Sequence, residues 1–161
     1  MATLQDAGRI ANAIAFSQRP LYLAWGRGAA AWDATPQPEP SNATALVDEV
    51  GRRLASFVGF VAPSPSGEIE LSSGHRYTAS TVPTQWVYMS TVFWFNEADG
   101  ETLRELAVFV GGATDPGLPP GQRYFTPGEV TDPGHMYLLE RVPAFPRTLS
   151  VREMFEYVFP F

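Results

Sequence analysis

The chain has 161 residues, with 17 acidic against 11 basic side chains and a formal charge of −6 at pH 7, and every basic group is an arginine. Phosphate backbones are held by clustered cations, so this balance argues against nucleic acid as a partner. The lack of cysteine excludes disulfides, thiolate nucleophiles and Cys-ligated zinc, and no stretch approaches the roughly 20 apolar residues of a membrane span, so membrane insertion is not expected.

The length fits one domain over residues 1–161. Fourteen glycines and fifteen prolines point to many shaped loops around a modest set of regular elements. The opening Met1-Ala2-Thr3-Leu4-Gln5-Asp6 has no basic start and no continuous apolar run, so no signal peptide is expected. Thr3-Leu4-Gln5-Asp6 has the form of a helix-capping box, with Thr3 as cap. Leu4, Ala7, Ala11, Ile14 and Ala15 recur at helical spacing, predicting a first helix to about Ser17 with a small-sided apolar stripe. Leu21-Tyr22-Leu23-Ala24-Trp25 reads as a strand. Gly26-Arg27-Gly28 follows as a tight turn that would carry Trp32 into the core. Pro36, Pro38 and Pro40 alternate, which predicts an extended surface path.

Leu46, Val47, Val50 and Leu54 predict a second helix over residues 43–55, with Arg52 and Arg53 near its negative end. Strands are expected at 57–61, 68–71 and 76–80. Residues 86–95, rich in aromatic and β-branched side chains, and residues 103–110 read as a hairpin closed around Asp99-Gly100. Both faces of its first strand are apolar, so the strand must be covered on both sides, by the helices or by a neighbouring subunit. Residues 111–134 form a long Gly/Pro-rich loop anchored by Tyr124-Phe125, and such loops are often functional. A strand is expected at 136–141. The C-terminal segment fits either a helix, with Ser150-Val151-Arg152-Glu153 as capping box, or a strand, with Phe155, Tyr157 and Phe159 alternating. The expected fold is mixed α+β: an antiparallel-rich sheet with two helices packed on one face and long Gly/Pro-rich loops.

The sequence shows no metal or cofactor motif. His75 and His135 lie in expected loops without metal-ligand spacing, no Gly-x-Ser-x-Gly elbow is present, and Gly26-Arg27-Gly28 lacks the continuation of a dinucleotide loop. No catalytic, cofactor-binding or metal-ligating residue is therefore assigned.

In their order these elements resemble the N-terminal attachment domain of bacteriophage tail-collar and tail-fibre proteins and related small baseplate proteins. The resemblance rests on Leu4-Gln5-Asp6-Ala7-Gly8-Arg9-Ile10-Ala11, on Ala24-Trp25-Gly26-Arg27-Gly28, and on Thr44-Ala45-Leu46-Val47-Asp48-Glu49-Val50-Gly51-Arg52-Arg53 after a Pro-rich spacer. Such domains then show a β pair close to Val92-Phe93 and Leu103-Arg104-Glu105-Leu106-Ala107-Val108-Phe109. The resemblance covers about residues 4–110, leaving 111–161 as a loop and C-terminal interface segment. Such domains run on into a fibre, whereas this sequence ends at Phe161. The resemblance therefore implies a non-enzymatic adaptor or fibre-anchoring subunit of the tail or baseplate, made in the host cytoplasm and carried in the virion. Its partners would be other tail proteins and copies of itself, and it would need no cofactor. Buried aromatic residues dominate many interfaces, which singles out Trp32, Tyr124, Phe125, Tyr157, Phe159 and Phe161 as interface residues. The alternatives are a carbohydrate- or peptide-binding module with Trp25, Trp32 or Trp94 as stacking platform, and a small hydrolase using His75 or His135.

Overall fold

A computed structural model describes residues Met1–Phe161. The backbone gathers into two compact units: Met1–Arg19, Ala55–Thr91 and Met154–Phe161 form one, and Pro20–Leu54 with Val92–Glu153 the other.

The first unit holds the single α-helix, α1 (Asp6–Ser17). The expected Thr3 cap is not made. Gln5 stands at the cap without a side-chain bond, its carbonyl accepting from Gly8 and Arg9, while Asp6 supplies the negative charge a helix start favours. The inward face is Ala13 and Phe16, whereas Leu4, Ala7, Ala11 and Ala15 are exposed. The predicted stripe therefore faces the wrong way. Phe16 settles the rotation, with its ring 5.1 Å from both Phe159 and Phe161. The unit's sheet contains β3 (Phe57–Pro63), β4 (Ile69–Glu70), β5 (Arg76–Ser80), β6 (Trp86–Phe93) and β12 (Glu153–Pro160), in the order β12-β6-β3-β5-β4. Val61, Tyr77 and Tyr88 centre its core, with Trp86 and Val158 packed against them. The C-terminal segment is thus a strand. Its end is fixed by Arg9 Nη1, which donates to the Phe161 carbonyl at 3.0 Å.

The second unit is built on β1 (Leu21–Gly26), β2 (Glu49–Leu54), β7 (Thr102–Val110), β9 (Tyr124–Phe125) and β11 (His135–Pro146), in the antiparallel order β11-β7-β1-β2-β9. A two-stranded ribbon pairs β8 (Ala113–Thr114) with β10 (Val130–Asp132). β1 is buried along its whole length, as a central strand of apolar residues should be.

Two expectations about architecture are overturned. The fold is mostly antiparallel β with one helix, so no pair of helices packs on a sheet face. Residues 49–54, expected as the second half of a helix, are β2. There Arg52 is buried on the same face as Leu54. Glu49 neutralises it through two bonds of 2.8 Å, and its guanidinium lies 4.0 Å above the Phe109 ring. Gly51 is required at its position, since a Cβ there would lie 2.3 Å from the Tyr124 hydroxyl. The cover expected of helices comes instead from loop residues Leu46 and Leu118 and from Phe125 on β9 and Val130 on β10, which pack with Tyr22, Ala24, Ala107 and Phe109. The Gly/Pro-rich stretch is therefore the lid of this sheet face.

The expected hairpin is also absent. β6 pairs with β3, while β7 pairs with β1 and β11. The connection closes two successive turns, Glu97 N to Trp94 O at 3.1 Å and Glu101 N to Ala98 O at 3.1 Å. A two-residue hairpin loop would need only one. Gly100 has the expected positive φ of 79°. β6 stops at Phe93, which leaves Trp94 and Phe95 in the turn.

Candidate partner interface

Two surface features of the second unit stand out. The first is the turn that follows β6. Trp94 is 45% exposed and Phe95 41%, although large aromatic groups usually bury most of their surface. Beneath them lies Arg147, whose side chain is fully buried. Its guanidinium donates to three carbonyls: Trp94 at 2.9 Å, Glu97 at 3.4 Å and Val151 at 3.0 Å. It also lies 5.0 Å from the Trp25 ring. One side chain thus ties the aromatic turn to the 147–151 segment, which carries the exposed Leu149 and Val151. Arg152 from the next position places its guanidinium 5.2 Å from the Trp94 ring and 5.6 Å from Phe95, within cation–π range.

The turn is closed from inside by Glu97. Its carboxylate accepts from the Trp94 amide at 2.7 Å and from Arg53. Burial raises the Glu97 carboxyl above its ordinary range and lowers the Arg53 guanidinium, each opposed by the charge of the other. A buried pair of this kind costs desolvation but penalises loss of either partner heavily. The result is a preorganised platform under two exposed aromatic rings.

The second feature surrounds Trp32, on a short 3₁₀ turn at Ala30–Asp33. Trp32 does not enter the core but stays half-buried at the surface. Gly28, at φ +59°, leaves room for one face of the indole, where a Cβ would lie 2.3 Å from Cζ3. Arg141 covers the ring with its guanidinium 4.2 Å from the ring centroid. The turn is pinned by Arg104, whose fork donates to both Asp33 oxygens at 2.7 and 2.9 Å. The Pro-rich spacer is exposed, as expected, and docks on β11: the Arg141 amide donates to Glu39 Oε1 at 3.0 Å and Nη1 to the Pro38 carbonyl at 2.7 Å.

Of the six residues expected at an interface, Phe125 and Phe159 are buried in their units. Tyr124 is half-buried, accepts the Trp25 indole N–H at 3.1 Å, and packs edge-on to Phe93. Tyr157 stacks with Phe159 at 6.1 Å, and Phe161 packs on Phe16. Trp32 lines a surface cavity. Trp32, Tyr124 and Phe125 belong to the second unit, and Tyr157, Phe159 and Phe161 to the first. Sequence reasoning missed Trp94 and Phe95 as a pair, and Arg147 altogether. The available signal was their adjacency, since neighbours on a strand face opposite sides and a two-faced aromatic pair at a strand's end needs two covers.

Among the proposed stacking platforms, Trp25 is fully buried and lies flat on Phe93, with ring centroids 3.6 Å apart. Trp32 has Gly28 against its ring and Arg141 stacked on it. His75 lies in an exposed turn beside Ser73 Oγ at 3.0 Å, and His135 is exposed at the start of β11. No cluster of three His, Asp or Glu residues gathers as metal ligands, and no helix is long and apolar enough to cross a membrane.

Over residues 1–161 the sequence matches the family described as baseplate wedge 3 tail fiber network component. The chain belongs to that family. No curated protein matches it. This baseplate component is accordingly a structural protein of the phage tail whose neighbours are other tail proteins, as the resemblance of its first 110 residues implied.

Proposed function

We propose that this baseplate component is a non-enzymatic adaptor that anchors a neighbour of the tail-fibre network through Trp94, Phe95, Leu149, Val151 and Arg152. The observation that carries this reading is the mounting of Trp94 and Phe95: two exposed aromatic groups held by the buried Arg147 and Glu97. Clustered exposed apolar side chains mark interaction sites, and rigid aromatic anchors with an arginine are typical centres of binding energy. Holding them in place before contact reduces the ordering cost of association. Several copies would take part around the tail axis, each with the same anchor, and the acidic, lysine-free surface suits protein rather than nucleic-acid neighbours.

The test is incorporation into tails in a lysate of phage lacking this gene product, supplied with purified protein. The variant Trp94→Ser with Phe95→Ser should keep the native melting profile yet fail to sediment with tails. Arg152→Glu, which leaves the apolar groups in place, should reduce incorporation. Wild-type sedimentation of the folded double variant would place the anchoring contact elsewhere.

A further inference from the structure

The groove beside Trp32 is not used by the adaptor reading, and its chemistry is specific. A cavity of about 410 Å³ lies between the spacer and β11, lined by Trp32, Pro36, Gln37, Arg141, Pro143 and Ala144 among others. That volume is in the range of binding clefts.

The carboxylates on its wall are engaged: both Asp33 oxygens take the Arg104 fork, and Glu39 takes backbone N–H donors, its own and that of Arg141. Donors are left over. Arg141 Nη1 meets the Pro38 carbonyl, but Nε is buried with no acceptor and Nη2 has none in the chain. The Trp32 indole N–H meets no acceptor in the chain and is open to solvent, free to donate to a ligand. Buried polar groups without partners are uncommon and call for a reason.

The backbone of this edge is also particular. β11 is the outer strand of its sheet, and its register with β7 shifts between Arg141 and Phe145. Pro143 within that interval offers no N–H. An added β-strand would find an interrupted ladder there. A polyproline II segment needs no ladder: it carries outward carbonyls without internal partners, and its prolines bring no donors that would require acceptors. Acceptor-only backbone meets the unpartnered Arg141 donors and the edge of the Trp32 indole, and pyrrolidine rings meet Pro36 and Pro143. Aromatic-lined grooves take such segments in other proteins. The chain's own spacer displays the contact, since Arg141 already holds the carbonyl of Pro38 within Pro36-Gln37-Pro38-Glu39-Pro40.

We propose that this groove binds an extended proline-rich segment of a neighbouring tail protein in the polyproline II conformation, with Arg141 and the Trp32 indole N–H donating to its carbonyls. This contact is separate from the Trp94 anchor.

The test uses the ¹⁵N-labelled full chain titrated with a synthetic ten-proline peptide, with a Gly-Ser peptide and a Val-Thr peptide of equal length as controls. The Trp32 indole resonance, assigned by its loss in Trp32→Phe, should shift saturably with the proline peptide while that of Trp94 stays in place. Arg141→Lys, which keeps the charge and stem but loses the fork, should weaken binding about tenfold, as expected for loss of charged-donor hydrogen bonds. An unmoved Trp32 resonance, an equal response to the Gly-Ser peptide, or tighter binding of the Val-Thr peptide would each overturn the proposal, the last in favour of strand addition. None of these outcomes bears on incorporation through Trp94 and Phe95.

Discussion

The Trp94 turn and the Trp32 turn both bring a tryptophan to the surface of the second unit, and they are held by opposite means. Under Trp94 the fastening is buried charge: Arg147 on three carbonyls and Glu97 against Arg53. Around Trp32 it is a set of solvent-facing forks, Arg104 on Asp33 and Arg27 on Glu101 and Asp48. Buried fastenings lose much when cut, because the remaining partner cannot be rehydrated. Exposed ones are screened by salt and replaced by water at little cost. The first turn is therefore a fixed mount, and the second is a wall that can adjust to an incoming chain.

The largest expected effect comes from cutting the buried mount. Arg147→Leu removes the donor shared by the carbonyls of Trp94, Glu97 and Val151, of which Trp94's keeps the Glu97 amide, at a cost of about 1–3 kcal/mol for each carbonyl left buried and unbonded. A urea unfolding curve would show it as a large drop in midpoint, with faster hydrogen exchange in residues 94–101. A midpoint shift under about 1 kcal/mol would mean that water replaces the guanidinium, and the contrast between the two turns would fail.

How the sequence conceals this contrast is instructive. The strands at 21–26, 57–63, 76–80 and 102–110 were legible because dense runs of β-branched and aromatic residues lie between glycine and proline turns. The positive φ at Gly100 followed from its turn context. The 43–55 helix was misread because Arg52 counts as a surface residue by type. Once Glu49 and the Phe109 ring neutralise it, Val50, Arg52 and Leu54 become a period-2 strand face, and the helical spacing of Leu46, Val47, Val50 and Leu54 is coincidence. The hairpin was misread because pairing is a non-local choice: Trp86–Phe93 finds its partners in β3 and β12, which local turn chemistry cannot reveal. Arg147, Arg53 and Arg141 were illegible for the reason Arg52 was. The family resemblance pointed to the right family although the β pair it implied near Val92-Phe93 and residues 103–109 does not form, because the order of its other short motifs carried it.

An intermediate effect tests a buried carboxylate beneath the Trp32 turn. Glu105 on β7 is buried, accepts the Asp48 amide at 3.1 Å, and leaves no room for a Cβ on Gly26. Burial lifts its carboxyl above the ordinary value of 4.5, opposed by the amides of Asp48, Val47 and Gly28 and by the charge of Arg141. A raised folded value means that the folded chain holds the proton more tightly than the unfolded one. The contribution is present in full below the unfolded value and is lost as pH rises through the folded one. Glu97 acts in the same direction, whereas the exposed carboxylates lowered by their partners, such as Glu101 and Glu129, act below that range. Wild-type stability should therefore fall as pH rises above the ordinary carboxylate value, and Glu105→Gln should flatten that slope. Parallel slopes in denaturant titrations at several pH values would show that Glu105 is not the source.

The smallest expected effect completes the comparison from the exposed side. Arg104→Ala removes both bonds to Asp33 and the bond to the Arg27 carbonyl, yet global stability should stay within error, because surface pairs are worth little once water can replace them. The change should be local: the Trp32 amide, bonded to the Ala29 carbonyl at 3.0 Å, should exchange faster with solvent. Raising salt should bring the wild type towards the variant, since screening weakens the same contact that the substitution deletes. The Trp94 amide, held by Glu97 at 2.7 Å, should be indifferent to both changes. Salt-sensitive exchange at Trp94, or salt-insensitive exchange at Trp32, would show that exposure does not decide which turn is fixed and which is adjustable.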